Sequence, residues 1–253
     1  MEFQKEVIEK SFAMPVLVDF WAPWCGPCRV LSPILEIIAE EQKDSWKLVK
    51  INTEENENLA DQYQVMSIPA VKLFYRGEVV HEFLGALSRQ MILDWLKKVL
   101  PGDGLIALDQ FLDKNEQPST TDLENLLAMH PDSKEIAFVL SQIYLWDDPD
   151  RAIDLVKNIK YGSQFFDKSN HIRDIGQFLL SDSDDERILK IMQLLRSSDP
   201  ESALKEMILV LQKDNKAGGG IISKAAIGIF NLLGSHHPLT QMYRKQLDMA
   251  LWV

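Results

Sequence analysis

The fold is decided by residues 16–28, which read VLVDFWAPWCGPC. Residues 16–20 form a short apolar run that predicts a buried strand. The stretch ends in Cys25 and Cys28, the two cysteines of the chain. Beyond Cys28, apolar residues recur at the spacing of one helix face. The cysteine pair therefore stands where a strand gives way to a helix.

The rest of residues 1–100 alternates between helix and strand patterns. Further strands are predicted at 48–51, 70–74 and 78–84, and further helices at 57–63 and 88–100. Arg76-Gly77 is a hairpin signal between the last two strands, and Ser88 is a candidate helix cap. With a helix before residue 16, the predicted order is αβαβαββα, which is typical of an α/β domain.

Pro101-Gly102-Asp103-Gly104 interrupts this pattern and predicts a linker at 101–104, between domains at 1–100 and 105–253. The second domain keeps a helical period with no clear strand. Asp148-Pro149 and Asp199-Pro200 repeat one helix-start signal, an Asp cap followed by proline. The copies lie 51 positions apart, which is no multiple of the roughly 34-residue tetratricopeptide period. We expect a degenerate, tetratricopeptide-like all-α array. Its helices are predicted near 105–115, 121–129, 133–146, 149–159, 164–180, 185–196, 200–214, 221–233 and 238–252.

Composition and charge restrict the partners. The 253 residues carry a formal net charge of −11 without a basic block, so neither nucleic acid nor an anionic membrane is expected as a partner. No apolar run approaches the roughly 18 residues of a membrane helix. The first residues lack the basic and apolar parts of a secretory signal. We therefore predict a cytoplasmic protein.

The cysteines could be half of a zinc site or a redox pair. A zinc site needs further ligands, and the chain has neither a second cysteine pair nor histidines at ligand spacing, so no metal and no cofactor is predicted. In the redox interpretation, Cys25 lies at a helix N-terminus, where free N–H groups and the helix dipole favour its thiolate. The Cys25 thiolate attacks a substrate disulfide, and Cys28 resolves the mixed disulfide. Gly26 gives room for this approach, and Pro27 stiffens the turn.

At these residues the chain resembles the thioredoxin family. The segment FWAPWCGPCR at 20–29 is similar to the active-site segment of that family, and the resemblance covers about residues 3–100. It implies a thioredoxin fold, protein-disulfide oxidoreductase activity and thioredoxin reductase as a partner. The family's usual first strand would precede residue 3, so we expect a mixed sheet of about four strands.

The resemblance also implies roles for residues around the cysteines. Asp19 is implied to move protons to and from Cys28, with Lys50 as its neighbour. A purely structural Asp19–Lys50 pair is the alternative. The implied substrate-binding residues are Trp24, Gly26, Pro27, Ile68, Pro69 and Gly85, with Pro69 following a cis peptide bond.

The end of the chain, from Asp199 onward, resembles the chaperedoxins, bacterial thioredoxin–tetratricopeptide co-chaperones. This resemblance implies unfolded or oxidised client proteins as partners, together with the chaperonin and the Hsp70 system. Trp252 in the last predicted helix falls nearly opposite an apolar stripe and is a candidate partner-binding residue. The stripe comprises Leu239, Met242, Tyr243, Leu247, Ala250 and Leu251. A frayed end or a contact with the neighbouring helix would also explain the position of Trp252.

Three functions remain open from the sequence. The first combines disulfide exchange with the holding of clients by the helical array. The second is an ordinary reductase whose helical half docks a fixed partner. The third is a non-catalytic holdase that keeps an unused cysteine motif.

Overall fold

The computed structural model describes residues 3–115 and 118–252. Met1, Glu2, Glu116, Gln117 and Val253, which the predicted domain ranges include, lie outside the described residues. The chain divides into two compact units, Met1–Glu116 and Gln117–Val253. The linker predicted at 101–104 lies inside the first unit, because the helix that follows it makes hydrogen bonds to that unit.

The first unit is the predicted α/β domain with a four-stranded mixed sheet. A π-helical segment, Gln4–Glu9, and a 3-10 turn, Lys10–Phe12, come before the sheet. The strands and helices are β1 (Val16–Trp21), α1 (Gly26–Glu41), β2 (Lys47–Asn52), α2 (Glu57–Gln62), β3 (Ala70–Tyr75), β4 (Glu78–Leu84), α3 (Arg89–Val99) and α4 (Asp103–Lys114). The strand order is β2-β1-β3-β4, with β1 and β2 parallel and the other pairs antiparallel.

Strand β1 separates two apolar layers. Val16, Val18 and Phe20 pack on the side of the N-terminal segment. Leu17 packs on the opposite side, with α1 and α3. Because side chains alternate along a strand, Asp19 shares the face of Leu17. The sheet therefore directs a carboxyl group at the helix that carries the cysteines.

The second unit is all helical among the residues described, as the sequence predicts. Its helices are α5 (Thr120–Met129), α6 (Lys134–Tyr144), α7 (Pro149–Val156), α8 (Phe166–Leu180), α9 (Glu186–Arg196), α10 (Pro200–Lys213), α11 (Ile221–Leu233) and α12 (Pro238–Leu251). Asp148 and Asp199 accept hydrogen bonds from the Arg151 and Ser202 amides, so both copies of the repeated signal cap a helix. Within the described part of the chain, none of the helices combines the length and apolarity that a membrane crossing requires.

Candidate active site

Cys25 and Cys28 are joined by a disulfide at the start of α1. Cys25 is the N-cap residue of the helix, and its Sγ accepts a hydrogen bond of 3.2 Å from the Cys28 amide. Both cysteines are buried, whereas Gly26 and Pro27 between them are exposed. The amide that contacts the Cys25 sulfur is one of the free N–H groups of the first helical turn. The same group can stabilise a negative charge on that sulfur after reduction.

Asp19 is fully buried on β1, and its Oδ2 accepts a 2.6 Å hydrogen bond from the Ser32 hydroxyl of α1. No group among the described residues hydrogen-bonds to Oδ1. Burial raises the pKa of the Asp19 carboxyl above its ordinary value, against the hydrogen bond from Ser32 and the charge of Lys50, which lower it. A buried carboxyl with a raised pKa can hold a proton at a pH where an exposed one cannot.

Lys50 lies opposite Asp19 in the register of β1 and β2 but does not form a salt bridge with it. Its Nζ donates a 2.7 Å hydrogen bond to Glu36 on α1 and lies 4.9 Å from the centre of the Trp21 ring. The direct Asp19–Lys50 pair, the structural alternative considered above, is therefore replaced by a Glu36–Lys50 pair. Lys50 acts on Asp19 through space, where its charge lowers the pKa of the carboxyl.

The loop before β3 lies beside the disulfide. The Ile68–Pro69 peptide bond is cis, as the resemblance predicts, and Ile68 packs against the apolar cluster of Ala22, Cys25 and Cys28. The Pro69 carbonyl accepts a 2.8 Å hydrogen bond from the amide of Gly85. Gly85 has a φ of +80°, a conformation that favours glycine. The structure thus brings the two loops that carry the predicted groove residues next to each other.

An exposed apolar rim accompanies the cysteines. Trp24 is 67% exposed, and its Nε1 donates a 2.9 Å hydrogen bond to Glu54. Met66, two residues before Ile68, is 93% exposed. An exposed aromatic side chain beside a reactive group is suited to contact another protein.

Three residues of this site were missed from sequence: Ser32, Glu36 and Glu54. Ser32 and Glu36 stand four and eight positions after Cys28, so helical spacing alone could have placed them on the same face. Glu54 belongs to a loop, where no periodic pattern marks its contact with Trp24. Within the described ranges, no group of three or more His, Cys, Asp or Glu side chains is arranged to hold a metal ion.

Trp252, the predicted partner-binding residue, ends α12 in the second unit and is 90% exposed. Tyr243, Leu247 and Ala250 form the buried side of the same helix. Met242, which the predicted apolar stripe includes, is exposed instead.

An α/β domain with a Cys-Gly-Pro-Cys disulfide at a helix start and a cis-proline loop beside it defines the thioredoxin-fold class of dithiol–disulfide proteins. Residues 1–98 match the thioredoxin family model, and residues 168–252 match a tetratricopeptide repeat model. The thioredoxin of Pyropia yezoensis is 47% identical over 98 residues, which are 39% of this chain and 90% of the relative. Thioredoxin 1 of Synechococcus elongatus is 46% identical, with the same coverage.

The M-type chloroplast thioredoxin of Chlamydomonas reinhardtii is 45% identical over 98 residues, 39% of this chain and 69% of the relative. The chain therefore belongs to the thioredoxin family, and its second unit extends it with a tetratricopeptide-type domain. These matches show a thiol oxidoreductase joined to a protein-interaction domain.

Proposed function

We propose that the chain is a redox-active co-chaperone of the chaperedoxin kind, which exchanges disulfides on proteins that its helical unit holds. Its clients are unfolded or oxidised cytoplasmic proteins, which it passes to the chaperonin or the Hsp70 system. The observation that carries this proposal is the Cys25–Cys28 disulfide at the start of α1, on a chain that continues into a tetratricopeptide-type unit. The thioredoxin match supports the exchange reaction, and the helical unit supports the holding of clients.

The reaction begins with the reduced pair. The Cys25 thiolate, stabilised by the Cys28 amide and the helix N-terminus, attacks one sulfur of a client disulfide. A mixed disulfide forms, and the other client sulfur leaves as a thiolate. Cys28 then loses its proton and attacks Cys25, which forms the Cys25–Cys28 bond and releases the second client sulfur. The client gains two electrons, and the cysteine pair loses two.

Two neighbours assist the second step in this proposal. Asp19 receives the proton of the Cys28 thiol, because burial favours its protonated form. The positive charge of Lys50 opposes this effect, because it lowers the pKa of Asp19. Trp24, Ile68 and Pro69 contact the client around the sulfur atoms.

The decisive experiment for the exchange reaction is insulin reduction with NADPH and thioredoxin reductase. We expect turnover by the parent chain and none by Cys25→Ser. A Cys28→Ala variant should accumulate mixed disulfides through Cys25, because the resolving thiol is gone. A parent chain that folds but does not reduce insulin would favour the non-catalytic holdase.

The holding of clients is tested on a client without cysteines. We expect the chain to suppress its thermal aggregation, and the doubly substituted Cys25→Ser, Cys28→Ser variant to do so equally well. Equal suppression by the parent chain and the double variant would show that holding does not require disulfide exchange. A chain that reduces insulin without suppressing aggregation would instead be a reductase with a docking domain.

Trp252 is the proposed contact to the chaperonin. We expect Trp252→Ala, or deletion of residues 247–253, to weaken chaperonin binding in a pull-down or by interferometry. Tyr161, also in the second unit and also 90% exposed, provides the matched control Tyr161→Ala. Equal binding by the parent chain and both Trp252 variants would remove α12 from the proposal.

A further inference from the structure

Helix α1 carries a polar ridge formed by Cys28, Ser32 and Glu36. The three residues are spaced by four positions, so they lie on one side of the helix, one turn apart. Ser32 contacts Asp19 of β1, and Glu36 contacts Lys50 of β2. The ridge therefore lies along the pair of strands that supplies both groups of the proposed proton relay.

The contact from Ser32 makes the two oxygens of Asp19 different. Oδ2 accepts the Ser32 hydroxyl at 2.6 Å, while Oδ1 has no hydrogen-bond partner among the described residues. A hydroxyl that donates to a carboxylate stabilises the charge on the oxygen it touches. A buried polar atom without a partner costs free energy, and such an atom needs an explanation. Reversible protonation of Oδ1 would explain why this atom has no hydrogen-bond partner.

We propose that Ser32 is a positioning residue for disulfide exchange: its hydroxyl holds Asp19 by Oδ2 and leaves Oδ1 as the atom that takes the proton of Cys28. The inference rests on the exchange reaction proposed above, and not on the holding of clients. The Cys28 S–H bond breaks, and its proton binds to Oδ1. The Cys28 sulfur keeps the electron pair and forms the bond to Cys25, while the client sulfur leaves with the electrons of the mixed disulfide. The proton later passes from Oδ1 to solvent.

The groups that face Asp19 fix the direction of the expected effect. From α1 these are Ser32, which contacts the carboxyl, and Glu36, whose charge acts on it. Cys28 precedes them on the same side of α1. From β2 the facing group is Lys50, and the register partner on β3 is the apolar Val71. Ser32 and Lys50 lower the pKa of Asp19, whereas Glu36 raises it. Removal of the Ser32 hydroxyl takes away the stabilisation of the ionised form. Ser32→Ala should therefore raise the pKa of Asp19 further.

The test is an NMR titration of the Asp19 carboxyl carbon in the oxidised full chain, in which the cysteines do not titrate. We expect Ser32→Ala to move the titration midpoint upward by about one pH unit, the size expected for one hydrogen bond to a charged group. The pH profile for reduction of a small aromatic disulfide by the reduced chain should move in the same direction. Neither measurement needs a client, so a failure of the co-chaperone proposal leaves both readouts intact.

Ser11 provides the matched control. It is a buried serine of the same unit whose hydroxyl donates to the Ile8 carbonyl and accepts from the Gly77 amide. Ser11→Ala should leave the Asp19 midpoint in place, even if it destabilises the fold. Ser32→Thr keeps the hydroxyl, so the Asp19 midpoint in this variant should lie within a few tenths of a pH unit of the parent value.

A double substitution decides whether Ser32 acts through Asp19. In an Asp19→Asn background, the further change Ser32→Ala should leave the pH profile of disulfide reduction unchanged. An unchanged Asp19 midpoint in Ser32→Ala would overturn the proposal. A profile that Ser32→Ala still shifts in the Asp19→Asn background would also overturn it, because the serine would then act without the carboxyl. A parent chain that reduces no disulfide at all would mark the failure of the proposed function itself.

Discussion

Asp19 is a titratable side chain at a fully buried position, where an apolar side chain would carry no desolvation cost. Its ordinary pKa is 3.8, and burial raises the value in the folded chain. Between the two pKa values the folded state binds more protons than the unfolded state, so stability falls as the pH rises through this window. The cost of the buried charge is absent below about pH 3.8 and complete above the folded pKa. At neutral pH the site therefore lowers the stability of the fold.

Asp19→Asn should consequently stabilise the first unit at pH 7, by about 1–3 kcal/mol. The gain should shrink towards zero as the pH falls to the ordinary pKa of the carboxyl, since both chains are then neutral at this position. Hydrogen exchange of the β1 amides measures the effect in the first unit alone. The same variant should resolve mixed disulfides more slowly, because the proton acceptor is gone. If Asp19→Asn stabilised the first unit equally at pH 7 and near pH 3.8, the charge of the Asp19 carboxylate would not be the cause of the gain.

At the scale of the element, α1 carries two side chains that shift the pKa of Asp19 in opposite directions: Ser32 lowers it and Glu36 raises it. Glu36 raises the pKa of Asp19 by its negative charge and at the same time binds Lys50. Glu36→Gln removes this charge, so the Asp19 midpoint should move downward in the NMR titration. The direction is opposite to the one expected for Ser32→Ala.

Glu40 is the matched control for this prediction. It lies one turn further along α1, is exposed, and pairs with Lys43 at 3.8 Å instead of with a strand. Glu40→Gln should leave the Asp19 midpoint where it is. Equal shifts in the two variants would attribute the effect to the overall charge of the helix, not to the Glu36–Lys50 contact.

The repeated caps of the second unit allow a test of the helix-start signal. Asp148→Ala and Asp199→Ala each remove a side chain that accepts from an amide of the first turn. Each change should destabilise the second unit by about 0.5–2 kcal/mol, read from hydrogen exchange of the α7 or α10 amides. Asp147→Ala, at an exposed position next to the first cap, should have little effect. A loss in Asp147→Ala as large as that in Asp148→Ala would refute the capping role.

These elements show what local sequence can predict. The starts of α7 and α10 were predicted at the observed residues, because an Asp cap and a following proline are local signals. The contact between Ser32 and Asp19 spans 13 positions and depends on how α1 packs on β1. Periodicity can assign Ser32 to the face of Cys28, but it cannot show which strand residue that face meets.

At the scale of the whole molecule, the break at residues 101–104 is the start of a helix and not the end of the first unit. Gly102 is the N-cap residue of α4, so the glycine and proline there mark the helix boundary. Helix α4 then returns to the first unit through contacts made by distant residues, which no composition shift reveals. Tyr75 donates a 2.6 Å hydrogen bond to Asp109, Arg76 pairs with Asp113, and Gln110 donates to the Ala13 carbonyl.

Tyr75→Phe should therefore loosen α4. The hydroxyl it removes bonds to a carboxylate, and such a bond contributes enough to slow local opening by about tenfold. We expect the α4 amides to exchange about ten times faster in the full chain, while those of α3 keep their rates. Tyr63→Phe is the control, because the Tyr63 ring packs against Phe74, and burial, without a hydrogen bond to a carboxylate, raises the pKa of its hydroxyl. If α4 exchanges at the same rate in both variants, the Tyr75–Asp109 contact does not hold it, and the first unit would have to end closer to residue 100.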